Sequence, residues 1–150
     1  GQRRVPAEDF FRGYYETALA PREILLAVEV PKARPGSFQT IDEVVRRSGD
    51  YAMAGLASAG RRTAEGALAD LRLVYFGVGS GPVVARGAMA ALEGGRADPP
   101  AVAAAQAALD DDLDPPADLH GGPAFKRHLA RVLLARVIAS LDVPVTEAAA

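Results

Sequence analysis

Two kinds of hydrophobic pattern divide this 150-residue chain, and their order constrains its fold more than any other feature. Up to residue 78, apolar residues alternate or cluster with β-branched and aromatic neighbours, which is typical of strands. From residue 84 onward they recur at three- and four-residue spacing, which is typical of helices. Strands followed by helices predict an α+β domain, with an antiparallel three- to four-stranded sheet followed by a three-helix bundle.

The strand patterns are separated by residues that end or turn a strand. Pro31 ends the first pattern because it lacks a ladder donor, and the polar residues 61–66 are typical of a hairpin connection. The predicted strands are residues 23–30, 38–45, 52–59 and 68–78. Ahead of them, Pro6 followed by acidic residues predicts a short helical turn.

Three helices are predicted in the second half. The first covers residues 84–92 before a glycine pair. The second begins at Asp98-Pro99-Pro100, with Asp98 as its cap, and continues through residues 101–109. The third begins at Pro123 and has the clearest pattern in the chain. Its apolar side comprises Phe125, Leu129, Val132, Leu133, Val137 and Leu141, and its opposite side Lys126, Arg127 and Arg131.

Composition excludes several classes of protein. The chain is 49% apolar and 24% charged, which is ordinary for a globular domain. A net charge of -2 gives no attraction to phosphate backbones, so nucleic acid is not an expected partner. No apolar run approaches the roughly 18 residues of a membrane span, and we expect a cytosolic protein. Without cysteine the chain cannot ligate an iron–sulfur cluster, so redox chemistry requires a bound cofactor or a partner.

The most concentrated group of chemically capable side chains is Arg46-Arg47-Ser48-Gly49-Asp50-Tyr51, between two predicted strands. Two guanidiniums, a carboxylate and an aromatic face suit a polar planar ligand or a neighbouring domain. The alternative is a charged turn with an internal arginine–aspartate pair, since exposed pairs of this kind are common and weak. Residue types alone favour the charged turn.

Other motifs predict structure rather than chemistry. Residues 77–82 contain GxG, but Pro82 interrupts a dinucleotide fingerprint, so a strand-to-helix turn is the preferred interpretation. The two histidines lack the further ligands of a metal site: we expect His120 in an aspartate-led helix-capping segment and His128 partly buried in a helix. The aspartates of residues 110–118 lack EF-hand spacing and predict a solvated loop. No GxSxG nucleophile elbow is present.

Five segments, taken in order, resemble the FAD-binding medium subunit of the carbon monoxide dehydrogenase and xanthine dehydrogenase family of molybdenum hydroxylases. FFRGYYETAL at residues 10–19 and EILLAVEVP at residues 23–31 are similar to segments that close the family's FAD-binding region. RRSGDYA at residues 46–52 is similar to the start of its C-terminal domain. Residues 82–94 and AFKRHLA at residues 124–130 resemble later segments of that domain.

The resemblance implies a function and partners. In this family FAD accepts electrons from iron–sulfur clusters on a small subunit, after a molybdopterin-binding large subunit has oxidised the substrate, and passes them to an external acceptor. Residues 1–31 would be the tail end of the FAD-binding region, and residues 32–150 the flavoprotein C-terminal domain. The alternative from a different class is a non-catalytic protein-interaction domain that retains the fold without the cofactor.

The resemblance also implies how much of the cofactor site is present. Most FAD contacts in the family come from glycine-rich loops upstream of this region, and those loops are not in this sequence. A first residue of Gly1 rather than methionine is typical of a fragment or a processed product. We therefore expect weak or no FAD binding by this chain alone, and no catalytic activity of its own.

Individual site residues follow where this sequence matches the family pattern. Tyr51 would supply an aromatic face and Asp50 a hydrogen-bond acceptor at the flavin edge. A lysine often found shortly before the paired arginines is replaced by Asp42 or Glu43, whose charge would repel FAD phosphates. No catalytic or metal-binding residue is expected. The cofactor-binding residues that the resemblance implies are Leu25, Arg46, Arg47, Asp50 and Tyr51.

Overall fold

A computed structural model describes residues 1–141. These residues contain helices and antiparallel sheets, which confirms the α+β class. No helix among them is both long and apolar enough to cross a membrane. The elements are α1 (Ala7–Phe10), β1 (Phe11–Gly13), β2 (Glu16–Thr17), β3 (Ser37–Val44), β4 (Ala54–Arg62), β5 (Leu68–Phe76), β6 (Val83–Val84), α2 (Arg86–Leu92), α3 (Pro99–Asp112) and α4 (Pro123–Leu141).

The main sheet has the strand order β3-β4-β5-β6, so every strand is antiparallel to its sequence neighbour. Side chains alternate between the two faces of a sheet, and the register places Leu56 opposite Tyr75 on the buried face. On the other face Phe76 lies so close to Gly55 that an added Cβ would be 2.0 Å from its ring. Ile41 on this second face is 68% exposed.

The core lies between the buried face of the sheet and the helices. Helix α4 contacts β3 and β4, α2 contacts β5, and α3 contacts both α2 and α4. Burying one large apolar side chain contributes about 1.5–3 kcal/mol, so this layer carries most of the stabilisation. The largest fully buried side chains are Tyr75, Leu56, Leu68, Leu73, Leu92, Leu109, Leu113, Leu133, Leu134 and Val78.

Carboxylates fix the beginnings of two helices. Asp98 caps α3 by accepting from the N–H of Ala101 at 2.9 Å, which confirms the predicted cap. The carboxylate of Asp112 accepts from the N–H groups of Gly87 and Ala88, at 2.8 and 2.9 Å, and so satisfies the first turn of α2. The predicted acidic loop is wrong for residues 110–112, because α3 continues to Asp112 and uses that residue to hold α2. Residues 113–117 do form a loop, and Asp114 in it is exposed.

Strand β5 contains an irregularity that is stabilised by Glu93, the residue that directly follows α2. The β4–β5 register shifts between Ala59 and Arg61, and Asp70 has a φ of 54°, which is uncommon for a residue other than glycine. The carboxylate of Glu93 accepts from the N–H groups of Asp70 and Leu71, at 2.8 and 2.9 Å. A side chain beyond the end of α2 therefore supplies the partners that the distorted strand lacks.

The strand predicted at residues 23–30 is absent, and this prediction is wrong. Residues 23–34 form no helix or strand, and Leu26 is 64% exposed. A strand requires partners for its backbone groups, and no strand within residues 1–141 pairs with this segment. The N-terminal region is held instead by ion pairs such as Arg3–Glu23 at 2.6 Å. It also contains the small β1–β2 sheet, which was not predicted.

The two sides of α4 differ from prediction at its first turn. Lys126, expected on the polar side, is only 2% exposed, whereas Phe125, expected on the apolar side, is 43% exposed. His128 is exposed rather than partly buried. The reason is that Lys126 finds two acceptors below the helix, at the end of the sheet.

Candidate functional site

The candidate site is the β3–β4 loop, which we define as residues 45–53. Its base is closed by the N–H of Met53, which donates to the carbonyl of Val44 at 2.8 Å. At its tip the N–H of Asp50 donates to the carbonyl of Arg47 at 3.1 Å, and Gly49 has a φ of 87°, a conformation that favours glycine. The loop is therefore a compact turn at one end of the main sheet.

The four predicted site residues of this loop point their functional groups to solvent. Arg46, Arg47 and Asp50 are exposed, and Tyr51 is 90% exposed. Within residues 1–141, none of the four side chains forms a hydrogen bond or an ion pair. The internal arginine–aspartate pair of the charged-turn interpretation is therefore not formed. In the described part of the chain, the two guanidiniums, the carboxylate and the aromatic ring of this loop have no hydrogen-bond or ion-pair partner.

Leu25, the fifth predicted site residue, lies in a different segment of the chain. It is 56% exposed and belongs to the extended residues 23–34. No hydrogen bond or strand pairing joins that segment to the β3–β4 loop in the part of the chain that the structure describes. The structure brings Arg46, Arg47, Asp50 and Tyr51 together in one loop and does not join Leu25 to them.

The β3–β4 loop rests on the connection between β5 and β6, residues 77–82. Gly77 has a φ of 76°, and a Cβ added there would lie 2.8 Å from the carbonyl oxygen of Ala52. Only glycine fits this approach. The predicted strand-to-helix turn is thus a turn into the short strand β6, with α2 following. Its carbonyl at Gly79 accepts from the hydroxyl of Tyr14 at 3.2 Å.

An ion pair between the buried Lys126 and the partly exposed Asp118 lies beneath the same turn. The Nζ of Lys126 is 2.5 Å from Oδ2 of Asp118 and 3.3 Å from the carbonyl oxygen of Gly77. The hydrogen bond from Lys126, followed by the one from the N–H of His120, holds the pKa of Asp118 below its usual range. The carboxylate of Asp118 therefore binds Lys126 and the N–H of His120 in its own loop. Within residues 1–141 it accepts from no backbone N–H of α4, so the expected helix-capping role is not observed.

Lys126 and Gly77 belong to this site although neither was predicted as a site residue. A signal for Lys126 was present, because Leu129 and Leu133, three and seven residues later, share its side of the helix. The signal for Gly77 was ambiguous, since a glycine after a strand is also typical of an ordinary turn. Their role became visible only through the contacts between three separate loops.

Asp42 does not lie on the exposed surface where it would meet a ligand at the loop. It shares the covered face of β3 with the residues that contact α4, and its carboxylate is 3.8 Å from the guanidinium of Arg136. It also accepts from the N–H of Glu43 at 2.9 Å. Of the two acids that stand in place of the lysine, Asp42 is therefore paired within the domain, whereas Glu43 is exposed on the other face of β3.

Other parts of the described chain offer less to a ligand. No group of three or more histidine, aspartate or glutamate side chains within residues 1–141 could hold a metal ion. Two open clefts, of about 430 and 490 Å³, lie away from the β3–β4 loop, one beside Arg62 and Arg96 and the other beside Arg72 and Arg86. Both are open clefts, and neither gathers two arginines, a carboxylate and an aromatic ring as the β3–β4 loop does, so the β3–β4 loop is the stronger candidate.

Comparison with known proteins identifies the domain. A family model described as the CO dehydrogenase flavoprotein C-terminal domain matches residues 39–141. The chain belongs to this family. The resemblance that the sequence motifs indicate is thereby confirmed, and the match covers the main sheet, all three larger helices and the β3–β4 loop of this flavoprotein C-terminal domain.

Individual relatives agree with the family match. The alpha subunit of the 6-hydroxypseudooxynicotine dehydrogenase complex of Paenarthrobacter nicotinovorans is 29% identical over 139 residues, 93% of this chain and 47% of the relative. The glyceraldehyde dehydrogenase medium chain of Sulfolobus acidocaldarius is 31% identical over 133 residues, covering 89% of this chain and 47% of the relative. The chain thus spans about half the length of these relatives.

Solved structures show the same fold. Carbon monoxide dehydrogenase from Hydrogenophaga pseudoflava, in a form lacking the Mo-pyranopterin moiety, superposes with a TM-score of 0.85 at 32% identity, over 91% of this chain and 47% of that chain. Quinoline 2-oxidoreductase from Pseudomonas putida 86 gives a TM-score of 0.80 at 32% identity, over 92% of this chain and 47% of that one.

Proposed function

We propose that this chain is the C-terminal part of the FAD-containing electron-transfer subunit of a molybdenum hydroxylase. In the complete subunit, FAD would pass electrons from iron–sulfur clusters to an external acceptor. The observation that carries the proposal is the family match over residues 39–141. It is supported by relatives that are named as medium chains or subunits of dehydrogenase complexes.

The β3–β4 loop has the chemistry for one edge of a flavin. The exposed ring of Tyr51 offers a stacking face, Arg46 and Arg47 offer donors to polar ring atoms or phosphates, and Asp50 offers an acceptor. When bound, FAD would supply the redox chemistry, and the loop would orient it. An exposed turn encloses no ligand by itself, so we propose weak or no FAD binding by the 150-residue chain.

The proposal divides the chain in two. Residues 1–31 would belong to the FAD-binding region, with Leu25 beside the flavin, and residues 32–150 would form the C-terminal domain, whose helices act as a three-helix bundle supporting the sheet. Support comes from residues 23–30, whose alternating apolar side chains and unpaired backbone suit a strand added to another sheet. The flavin-binding half of the subunit would supply that sheet.

Partners and location complete the proposal. With no cysteine, this chain cannot ligate iron–sulfur clusters, so a small iron–sulfur subunit would hold them and a molybdopterin-binding large subunit would oxidise the substrate. The relative from Paenarthrobacter nicotinovorans is named as a subunit of a complex, which supports an assembly of this kind. We place the complex in the cytoplasm.

The test is flavin binding by the complete subunit. We expect stoichiometric FAD in the wild-type subunit, and we expect Tyr51→Ala and Arg47→Ala each to raise the dissociation constant for FAD about tenfold, or about 1.4 kcal/mol. Arg72→Ala is the matched control, because Arg72 is an exposed arginine outside the loop. Isothermal titration of the apo subunits with FAD gives the constants. Equal constants for all variants would remove the loop from the flavin site.

A second candidate function follows from the same exposed groups. Uncommitted arginines and a tyrosine are also common in protein interfaces, so the domain could be a non-catalytic interaction module. The complete subunit distinguishes the two candidates. Assembly with large and small subunits without any bound flavin would favour the interaction module.

A further inference from the structure

Lys126 is the only buried charged side chain within residues 1–141. Its ammonium group has two acceptors, the carboxylate of Asp118 and the carbonyl oxygen of Gly77. It also lies in the first turn of α4, where the helix dipole disfavours a cation. A buried charge is costly, and apolar side chains of similar volume often stabilise such positions equally well. Its presence therefore indicates a task that packing alone does not perform.

The acceptor at Gly77 connects Lys126 to the candidate site. Gly77 abuts the backbone on the C-terminal side of the β3–β4 loop, since an added Cβ would lie 2.8 Å from the carbonyl oxygen of Ala52 and 3.2 Å from that of Met53. These two residues directly follow Tyr51. The ammonium group thus fixes one carbonyl of the turn on which the loop rests.

The loop depends on its base for its position. The side chains of Arg46, Arg47, Asp50 and Tyr51 contribute no hydrogen bond or ion pair to the described structure. The loop is held at its base by the Met53 to Val44 hydrogen bond, by the Met53 side chain, which belongs to the core, and by the contact with Gly77. Of these contacts, the one with Gly77 lies against the backbone that directly follows Tyr51.

We propose that Lys126 is a positioning residue, which fixes the β3–β4 loop through the carbonyl of Gly77. Asp118 assists by neutralising the ammonium group and orienting it toward that carbonyl. The position of the loop is a property of the folded domain. Its consequence for flavin rests on the function proposed above.

Amide hydrogen exchange on the 150-residue chain tests the positioning without any cofactor. In Lys126→Met we expect exchange of the Met53 amide to increase at least about tenfold, because the base of the loop opens locally. The Leu68 amide, which donates to Gly95 at 2.9 Å, provides the internal reference and should change by less than about threefold. Arg131→Met, which removes an ion pair of the same helix with Asp110, is the control variant and should leave the ratio unchanged.

Two results overturn the proposal. One is an equal increase at Met53 and Leu68 in Lys126→Met, which would show a general loss of stability. The other is no increase at Met53. If Lys126→Met does not fold, Asp118→Asn decides, because it keeps an oxygen near Lys126 but removes its charge. A selective increase at Met53 of about threefold supports positioning, and an unchanged ratio contradicts it.

The complete subunit tests the consequence for flavin. We expect Lys126→Met to raise the dissociation constant for FAD about tenfold and Arg131→Met to leave it unchanged. If the wild-type subunit binds no FAD, the proposed function fails while the exchange result still decides the role of Lys126. If FAD binding is unchanged in a variant whose loop exchanges faster, Lys126 does not position the loop for flavin.

Discussion

Strand β5 and residues 24–30 have similar sequence patterns, but β5 is buried and residues 24–30 are exposed. Both alternate apolar residues, yet Leu73 in β5 is fully buried whereas Leu26 is 64% exposed. β5 has a strand on each side and helices over one face, while residues 24–30 pair with no strand of the described chain. Alternation therefore indicates that a segment is suited to a sheet, and burial depends on whether the chain itself supplies the partners.

Removing one leucine from each region gives the largest contrast. In the 150-residue chain we expect Leu56→Ala to lower the free energy of unfolding by about 2–5 kcal/mol, because Leu56 has no exposed surface and its loss leaves a cavity. Leu26→Ala should change it by less than about 0.5 kcal/mol. Urea titration followed by circular dichroism measures both. Similar losses for the two variants would mean that residues 24–30 are packed in solution.

The same Leu26→Ala variant sharpens the comparison in the complete subunit. If residues 23–30 form a strand with the flavin-binding half, Leu26 becomes buried there and its truncation should cost about 2 kcal/mol or more. Leu119→Ala, at a leucine that is 96% exposed outside that segment, is the matched control and should have little effect. Equal costs for Leu26→Ala in the short chain and in the complete subunit would contradict strand addition.

A smaller effect tests the polar contact inside the core. The hydroxyl of Tyr75 donates to the carbonyl of Ala130 at 3.1 Å, and burial raises the pKa of Tyr75, so the donor keeps its proton. Tyr75→Phe should lower the free energy of unfolding by about 1–1.5 kcal/mol through loss of this bond. Tyr15→Phe, at a fully exposed tyrosine of the N-terminal region, should have no measurable effect in the same urea titration.

Capping gives an effect of similar or smaller size. Asp98→Ala removes the acceptor for the N–H of Ala101 and should lower the free energy of unfolding by about 1 kcal/mol. Asp111→Ala is the control within α3. An acid in the last turn of a helix opposes the helix dipole, so removing Asp111 should raise the free energy of unfolding by about 0.3 kcal/mol. A loss of stability in both variants would point to general carboxylate effects rather than to capping.

The dependence of stability on acid pH compares the N-terminal region with the rest of the domain, because each contains a carboxylate whose pKa is lowered. The hydrogen bond from Lys126 holds the pKa of Asp118 below its usual range. The Lys126–Asp118 pair therefore stabilises the fold at pH values above the ordinary aspartate pKa of about 3.9, and this stabilisation is lost as the pH falls through the lowered pKa. Glu23 has a pKa of about 2, caused first by Arg3, but lies outside the core. We expect Asp118→Asn to flatten the acid limb of the free energy of unfolding, measured by urea titration at several pH values. Glu23→Gln should flatten it as well if the N-terminal region unfolds together with the core, and should leave it unchanged if that region opens first.

Much of this fold could be predicted because it is encoded locally. The strands at residues 38–45, 52–59 and 68–78, the cap at Asp98 and the helix from Pro123 each depend on periodicity or on one residue type, and the structure confirms them within a few positions. Long-range partners could not be predicted in this way. Asp112 resembled a solvated loop residue because its role depends on α2, 24 and 25 residues away.

The candidate site was predictable as a loop but not as an assembly. The run of arginines, aspartate and tyrosine marked residues 46–51, and the structure places them together on an exposed turn. Lys126 was assigned to the polar side of α4 because a lysine is normally exposed. Its burial depends on two acceptors from other loops, Asp118 and Gly77, which no pattern within the helix reveals.

The contact of Glu93 with β5 has a consequence for the order of folding events. The displaced N–H groups of Asp70 and Leu71 obtain acceptors only from a carboxylate 23 and 22 residues further along the chain. The β4–β5 hairpin can nucleate early, but its final register is secured only when α2 has docked. Sheet maturation and helix docking should therefore share one kinetic barrier, rather than follow each other as separate phases.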